Sequence, residues 1–387
     1  MLLRKVTYSQ FQGTDKEWSL LDFSPQQINL VVGKNAAGKT RTLNIISSLA
    51  HLMTGEQTEI PESVSYEFNW TAFGKEICYT LKCHERNVVL ERLVIDSEVK
   101  LERNESGNSE IFFEKVQQNI EIQVPGQNLC CVVRRDPLQH PWLELLHEWA
   151  ESTIHYRFGS VFGKNIGLLI RPEDEHQNSL NDIEIDLKKT DRVVELFRKG
   201  YDLFGEIFVT NIIEGMKKIA YSLTAIEIDY SPNLKFRNPI DPPPAVLRVK
   251  EADLKCYTYQ ADMSQGMFRA LSLIIQLNLL KLQGSGMCII IDDIGEGLDY
   301  DRSTELIRLL IEAVEKTSIQ LIMSTNGRFI MNNVSLKYWS VIQRKGNKSK
   351  VFNYSNAKET FEEFLFTGLS NFDFLCTDFY CKPPEKK

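Results

Sequence analysis

The 387-residue chain has eight cysteines but no C-x-x-C pair, and Cys130 and Cys131 are adjacent. That spacing argues against a disulfide framework or a cysteine-based zinc site and for a reduced, cytosolic protein. The N-terminus lacks the apolar core of a signal peptide, and no apolar run reaches membrane-spanning length. A cytoplasmic protein with no membrane partner is expected. Positive charge is in deficit: formal net charge is −7, so there is no overall basic footprint for nucleic acid, although a local basic groove stays open. Histidines number six. His140, His147 and His155 lie near one another but lack carboxylates at ligand spacing, so they read as surface or helix-face residues. There is no internal repeat and no low-complexity segment. What remains is ordinary globular composition, long enough for a sizeable core or two lobes.

Against that plain background one stretch stands out. Gly33 to Thr40 reads GKNAAGKT and fits G-x-x-x-x-G-K-[ST] at every fixed position. Gly33 and Gly38 let the backbone curl so that successive N–H groups face one concavity. That concavity and the following helix N-terminus suit phosphate oxygens. Lys39 would reach the β- and γ-phosphates, and the Thr40 hydroxyl would hold Mg²⁺. The context agrees. Ile28 to Val32 is a short apolar run expected to be a buried strand, and Leu43, Ile46, Leu49 and Met53 recur at helical spacing.

Before this motif, Leu2 to Tyr8 and Trp18 to Phe23 read as strands. After its helix, Val64–Trp70, Ile77–Cys83, Val88–Ile95 and Glu98–Arg103 alternate apolar and polar residues between short polar breaks. This predicts an antiparallel meander, extended by Ile111–Val116 and Ile120–Val124. From Pro141 to about Tyr156 the period becomes helical, with Trp142, Leu145, Leu146 and Trp149 on one face. A polar loop is expected at 172–180. A long amphipathic helical region follows from Asp191 to Leu223, with Gly200, Gly205 and Gly215 weak points that would split it in two. The proline cluster at 239–244 reads as a stiff loop.

A second apolar run, Cys288 to Ile291, ends in Asp292-Asp293. A carboxylate just past a buried strand is the usual second Mg²⁺ anchor of a P-loop site. Asp293 would position or deprotonate the attacking water. Asp is one methylene shorter than Glu, which points to slow hydrolysis. Upstream, Ser264-Gln265-Gly266 precedes an apolar helix running to about Leu282. Ser264 stands at the expected N-cap, and Gly266 permits close backbone approach.

The series GKNAAGKT, MSQGMFRALSLIIQL, CIIIDDIGEGLD and LIMSTN resembles the ABC-type ATPase heads. It is most similar to the RecF/SMC-like branch, bacterial AAA-type defence ATPases and the OLD family. The resemblance covers the N-terminal segment and roughly residues 257–334. It implies an α/β P-loop NTPase, an ABC-type head with an antiparallel β subdomain and an inserted helical lobe. Four parts are expected: 1–135 and 246–355 as the two halves of the head, 136–245 as the mainly helical insert, and 356–387 as an aromatic tail. It implies ATP and Mg²⁺ as cofactors. The nucleotide would be held by Gly33, Lys34, Asn35, Ala36, Ala37, Gly38, Lys39, Thr40 and Arg41, with Thr40 and Asp292 on the metal. Lys39, Asp293 and Asn326 would be catalytic. Asn326 stands where many relatives have His, and it can hydrogen-bond a γ-phosphate but cannot take its proton. Ser264, Gln265 and Gly266 would cap the γ-phosphate of an opposite subunit, and Leu298-Asp299 would be the D-loop. No Q-loop glutamine is assigned.

ATP would thus glue two heads into a homodimer or higher oligomer, and hydrolysis would release them. The resemblance further implies regulation of a separately encoded nuclease or toxin in bacterial antiphage defence. The alternatives are a RecF-like DNA-repair or chromosome-maintenance ATPase and a transporter's nucleotide-binding subunit. DNA remains open as a ligand. The Toprim nuclease of OLD relatives is not expected to fit after the last sheet strand, near Val351–Tyr354, and a nuclease trace at 172–174 and 186–188 reads better as solvated loop. The basic clusters at Arg134-Arg135, Lys188-Lys189 and 344–350 read as solvated charge. The aromatic tail, Phe361 to Tyr380, is expected to pack back on the head, with protein docking as the second reading.

Overall fold

The computed structural model describes residues 1–105, 108–160, 163–167, 186, 188–230, 244–284 and 287–381. The loops expected at 172–180 and 239–243, and most of the weighed nuclease trace, lie outside the described residues.

In chain order the strands are β1 Leu2–Gln10, β2 Trp18–Phe23, β3 Ile28–Val32, β4 Ser63–Ala72, β5 Lys75–His84, β6 Asn87–Ile95, β7 Glu98–Arg103, β8 Ser109–Phe113, β9 Gln118–Ile122, β10 Thr153–Arg157, β11 Leu223–Tyr230, β12 Ala245–Glu251, β13 Thr258–Tyr259, β14 Cys288–Asp292, β15 Gln320–Ser324, β16 Trp339–Lys345 and β17 Lys348–Asn353. The helices that matter below are α1 Lys39–Thr54, α2 Pro141–Glu151, α3 Val193–Phe204, α4 Glu206–Lys218, α5 Gln265–Gln283 and α6 Tyr300–Val314.

One 14-stranded sheet runs β10-β14-β15-β3-β16-β17-β2-β1-β4-β5-β6-β7-β8-β9. Its core pairs β14, β15, β3 and β16 in parallel. Every residue of β3, β14 and β15 is buried, as continuous apolar parallel strands require. From β4 to β9 the pairing is wholly antiparallel, which is the expected meander. Its last two strands start two residues earlier than the apolar runs suggested, at Ser109 and Gln118, and end at Phe113 and Ile122.

By contact the chain forms two compact units. The first comprises Met1–Ile154, Gly286–Asp292 and Val314–Lys387, and the second His155–Ser285 and Asp293–Ala313. In the first, α1 and α2 pack together, and Trp70 meets Trp149 edge-on with ring centroids 5.0 Å apart. In the second, α3 and α4 lie against α5, beside a three-stranded antiparallel sheet β11-β12-β13.

Three expectations need correction. The helix from Pro141 ends at Glu151, not near Tyr156. Thr153, Ile154 and Tyr156 are buried in strand β10, and Cys288 N donates to the Ser152 carbonyl at 3.2 Å. β-branched and aromatic residues at period two favour the strand once a sheet edge is available. The stripe from 191 splits at Gly205 as its glycines predicted, with φ 56° and ψ −140°, a conformation that strongly favours glycine, but its second helix ends at Lys218, short of the expected end. Its last member, Leu223, belongs to β11. The final sheet strand is Lys348–Asn353, preceded by β16, which the sequence did not flag.

The tail closes on the first unit. Phe361, Phe364, Phe374 and Tyr380 are buried, with Phe361 and Phe374 centroids 4.6 Å apart. Of the tail aromatics from Phe361 to Tyr380, Phe366 alone stands out of this core, 90 % exposed. Among the described residues, no helix is long and apolar enough to cross a membrane.

Candidate nucleotide site

The loop between β3 and α1 is built for close approach. Gly38 has φ +107°, in the left-handed region that favours glycine, and Ala36 stands at φ 60°. A Cβ on Gly33 would lie 2.7 Å from the Ile342 carbonyl oxygen of β16. Ser349 of β17 donates its hydroxyl to the Ala37 carbonyl at 3.2 Å. Neighbouring strands therefore brace the loop from outside.

Lys39 is buried, and its ammonium donates to the Gly33 carbonyl at 2.9 Å. The lysine thus folds over the concavity that its own loop makes. Thr40 Oγ1 donates to Asp292 Oδ1 at 3.2 Å, and Ser324 Oγ donates to the same oxygen at 2.5 Å. Parallel register explains the meeting: Ser324 is opposite Val31, so β15 ends level with β3. Asp292 is buried at the end of β14. A hydroxyl and a carboxylate converging here form the hard-oxygen donor set that Mg²⁺ takes. Thr325, just past β15, is also buried, and the Asn326 that follows it is exposed.

Arg41 stacks over the Trp18 ring at 4.1 Å. Burial lowers its pKa, with Tyr8 pulling the other way. Lys34 forms an ion pair with Asp378 of the tail at 2.6 Å, and that bond holds the Asp378 carboxyl below its usual range.

The second unit carries the other expected group. Ser264 caps α5, accepting from Met267 N at 3.2 Å. Gln265 Nε2 donates to Ser160 O at 3.2 Å. Gly266 touches the 296–298 turn so closely that a Cβ would lie 2.4 Å from the Gly297 carbonyl oxygen. Arg269 fastens this junction. Its guanidinium is buried and donates to the carbonyls of Gly159 (2.7 Å), Glu296 (2.9 Å) and Ser160 (3.0 Å). Asp293 opens the turn at φ 55°, an uncommon conformation for a non-glycine residue.

The structure thus gathers Lys39, Thr40 and Asp292 in one cluster and Ser264, Gln265 and Gly266 with the 296–298 turn in another. The sequence reading missed Ser324, Ser349, Trp18, Asp378 and Arg269. Only Arg269 left a trace, as a charge inside an otherwise apolar helix.

No family model and no curated protein matches the sequence. Solved structures do match. The head of Smc bound to the C-winged helix domain of ScpA aligns at TM-score 0.54 and 12 % identity, over 91 % of this chain and 97 % of that one. The fold is SMC head-like. A Pyrococcus furiosus Smc head with an extended coiled coil, bound to the C-terminal domain of ScpA, aligns at TM-score 0.46 and 13 % identity, over 94 % and 99 %. The Thermotoga maritima SMC head domain aligns at 0.42 and 13 %, over 91 % and 98 %. At these identities the likeness concerns the fold alone.

Proposed function

We propose that this chain is an SMC-like ATPase head that binds Mg²⁺–ATP at GKNAAGKT and closes on a second copy through Ser264. The carrying observation is the convergence of Thr40, Asp292 and Ser324 beside a P-loop whose lysine already covers it. Residues 33–41 would hold the phosphates, with Lys39 leaving the Gly33 carbonyl for phosphate oxygens. Thr40 and Asp292 would hold Mg²⁺, which neutralises charge on the transferring phosphoryl group. Asp293 would accept the proton of the attacking water, and Asn326 would orient that water or the γ-phosphate by hydrogen bonding. Ser264, Gln265 and Gly266 would cap the phosphate held by the other copy.

Open and closed pairs of heads are then two states that a partner reads. We favour a separately encoded nuclease or toxin in cytoplasmic antiphage defence, because the motif series resembles defence ATPases. The SMC head-like fold favours the second reading, chromosome maintenance or repair, in which DNA would stimulate turnover. The test is ATP hydrolysis and ATP-dependent dimerisation of Lys39→Ala and Ser264→Arg. Lys39→Ala should lose nucleotide binding. Ser264→Arg should keep binding but lose dimerisation and turnover. Unchanged dimerisation and turnover in both variants overturn the proposal.

A further inference from the structure

Around Ser264 lie two groups that the motif series does not contain. Tyr221, just before β11, places its side chain beside that of Ser264. Arg302, in the first turn of α6, lies over the Tyr221 ring at 4.4 Å. Its Nη1 pairs with Asp299, the D-loop aspartate. Its Nη2 makes a long bond to the Ala220 carbonyl at 3.4 Å, and its Nε is buried without an acceptor. The cation is therefore oriented by an aromatic face, half exposed, and incompletely bonded.

We propose that Arg302 acts in trans as a phosphate-binding, catalytic arginine: with Ser264 and Tyr221 it presents a guanidinium to the triphosphate seated on a second copy's P-loop. This rests on the head-to-head reading above. The charge arithmetic favours the exchange. The Arg302–Asp299 pair has side chains 35 % and 51 % exposed, and solvent-exposed pairs of this kind contribute little. A triphosphate offers several anionic oxygens to the planar fork of an arginine, and charge-assisted bidentate contacts are the strong ones. Arg302 can thus trade Asp299 for phosphate at small cost. Tyr221 acts as the positioning residue, its ring setting the guanidinium plane beside Ser264.

Mixed dimers decide the matter, purified with a different tag on each chain. With Lys39→Ala on one chain and Arg302→Gln on the other, trans action leaves one composite site whole, and turnover persists. With both changes on one chain and a wild-type partner, both sites are broken and turnover is lost. Action in cis reverses the two results and overturns the inference. So does an Arg302→Gln homodimer with turnover within about twofold of wild type. The expected loss there is about 10²-fold, the scale of removing one charge-stabilising donor. Arg302→Lys should recover part of it. ATP binding by the isolated Arg302→Gln subunit should stay unchanged, and its loss counts against the inference. Repeating the mixing with Ser264→Arg separates the two ideas. Trans dependence for Ser264 without an Arg302 effect sinks this inference alone, whereas no trans dependence for Ser264 sinks the dimer reading.

Discussion

Gly266→Ala is the sharpest single test of how the second unit is built. The new methyl would lie 2.4 Å from the Gly297 carbonyl oxygen and 3.0 Å from Leu298 Cδ2. Carbon–oxygen contacts relax only near about 3.3 Å, so the 296–298 turn must retreat by roughly 1 Å. It cannot retreat freely. Gly297 is at φ +81° and its Cβ direction faces Arg269 Nη1 at 3.0 Å, while that same nitrogen donates to Glu296 O at 2.9 Å. Retreat stretches a charge-assisted bond worth about 1.5–3 kcal/mol. Overpacking adds about 1–3 kcal/mol, and the better helix propensity of alanine returns at most about 1 kcal/mol. The net expectation is a loss of about 1.5–5 kcal/mol, or a fall in melting temperature of roughly 3–20 °C for a domain of about 150 residues. Thermal unfolding by circular dichroism or calorimetry reads it. Gly327→Ala is the control, since its Cβ would meet nothing closer than 3.4 Å. A Gly266→Ala melting curve matching that control would refute the packing argument.

Two further outcomes are expected. Burial pushes the Cys83, Cys130 and Cys288 thiols up to about 12, so at pH 8 they should resist alkylation in the native protein while the exposed Cys256 and Cys376 react; mass spectrometry after iodoacetamide reads this, and labelling of Cys288 without unfolding contradicts it. Asp378→Asn should cost less than about 1 kcal/mol, because the Lys34 pair is exposed. The Asp378 carboxyl is depressed in the fold, so its contribution is present above the unfolded pKa of about 3.9 and fades as pH falls through the lower folded value. Urea midpoints of both proteins from pH 7 downward check it, and a gap that widens in acid would contradict the pairing.

The sequence by itself determined the local grammar. GKNAAGKT after a continuous apolar strand left one workable loop, because the two glycines and Lys-Thr meet the demands of phosphate and metal on adjacent residues. Alternation at period two fixed the meander from β4 to β7, and Ser264 ahead of an apolar helix fixed its N-cap. Where two periods were both present, the sequence failed: residues 153–157 continue a helical face yet also alternate, and an open edge beside β14 decided for strand. The partners of Asp292 were illegible for a different reason. Thr40, Asp292 and Ser324 are far apart in the chain, and only the parallel register of β3, β15 and β14 brings their oxygens to one point. The same holds for Arg269, Tyr221 and Arg302. A charged or aromatic residue in a helix or loop carries no local sign of what it will touch, and carbonyls from distant turns choose its role only after the chain has packed.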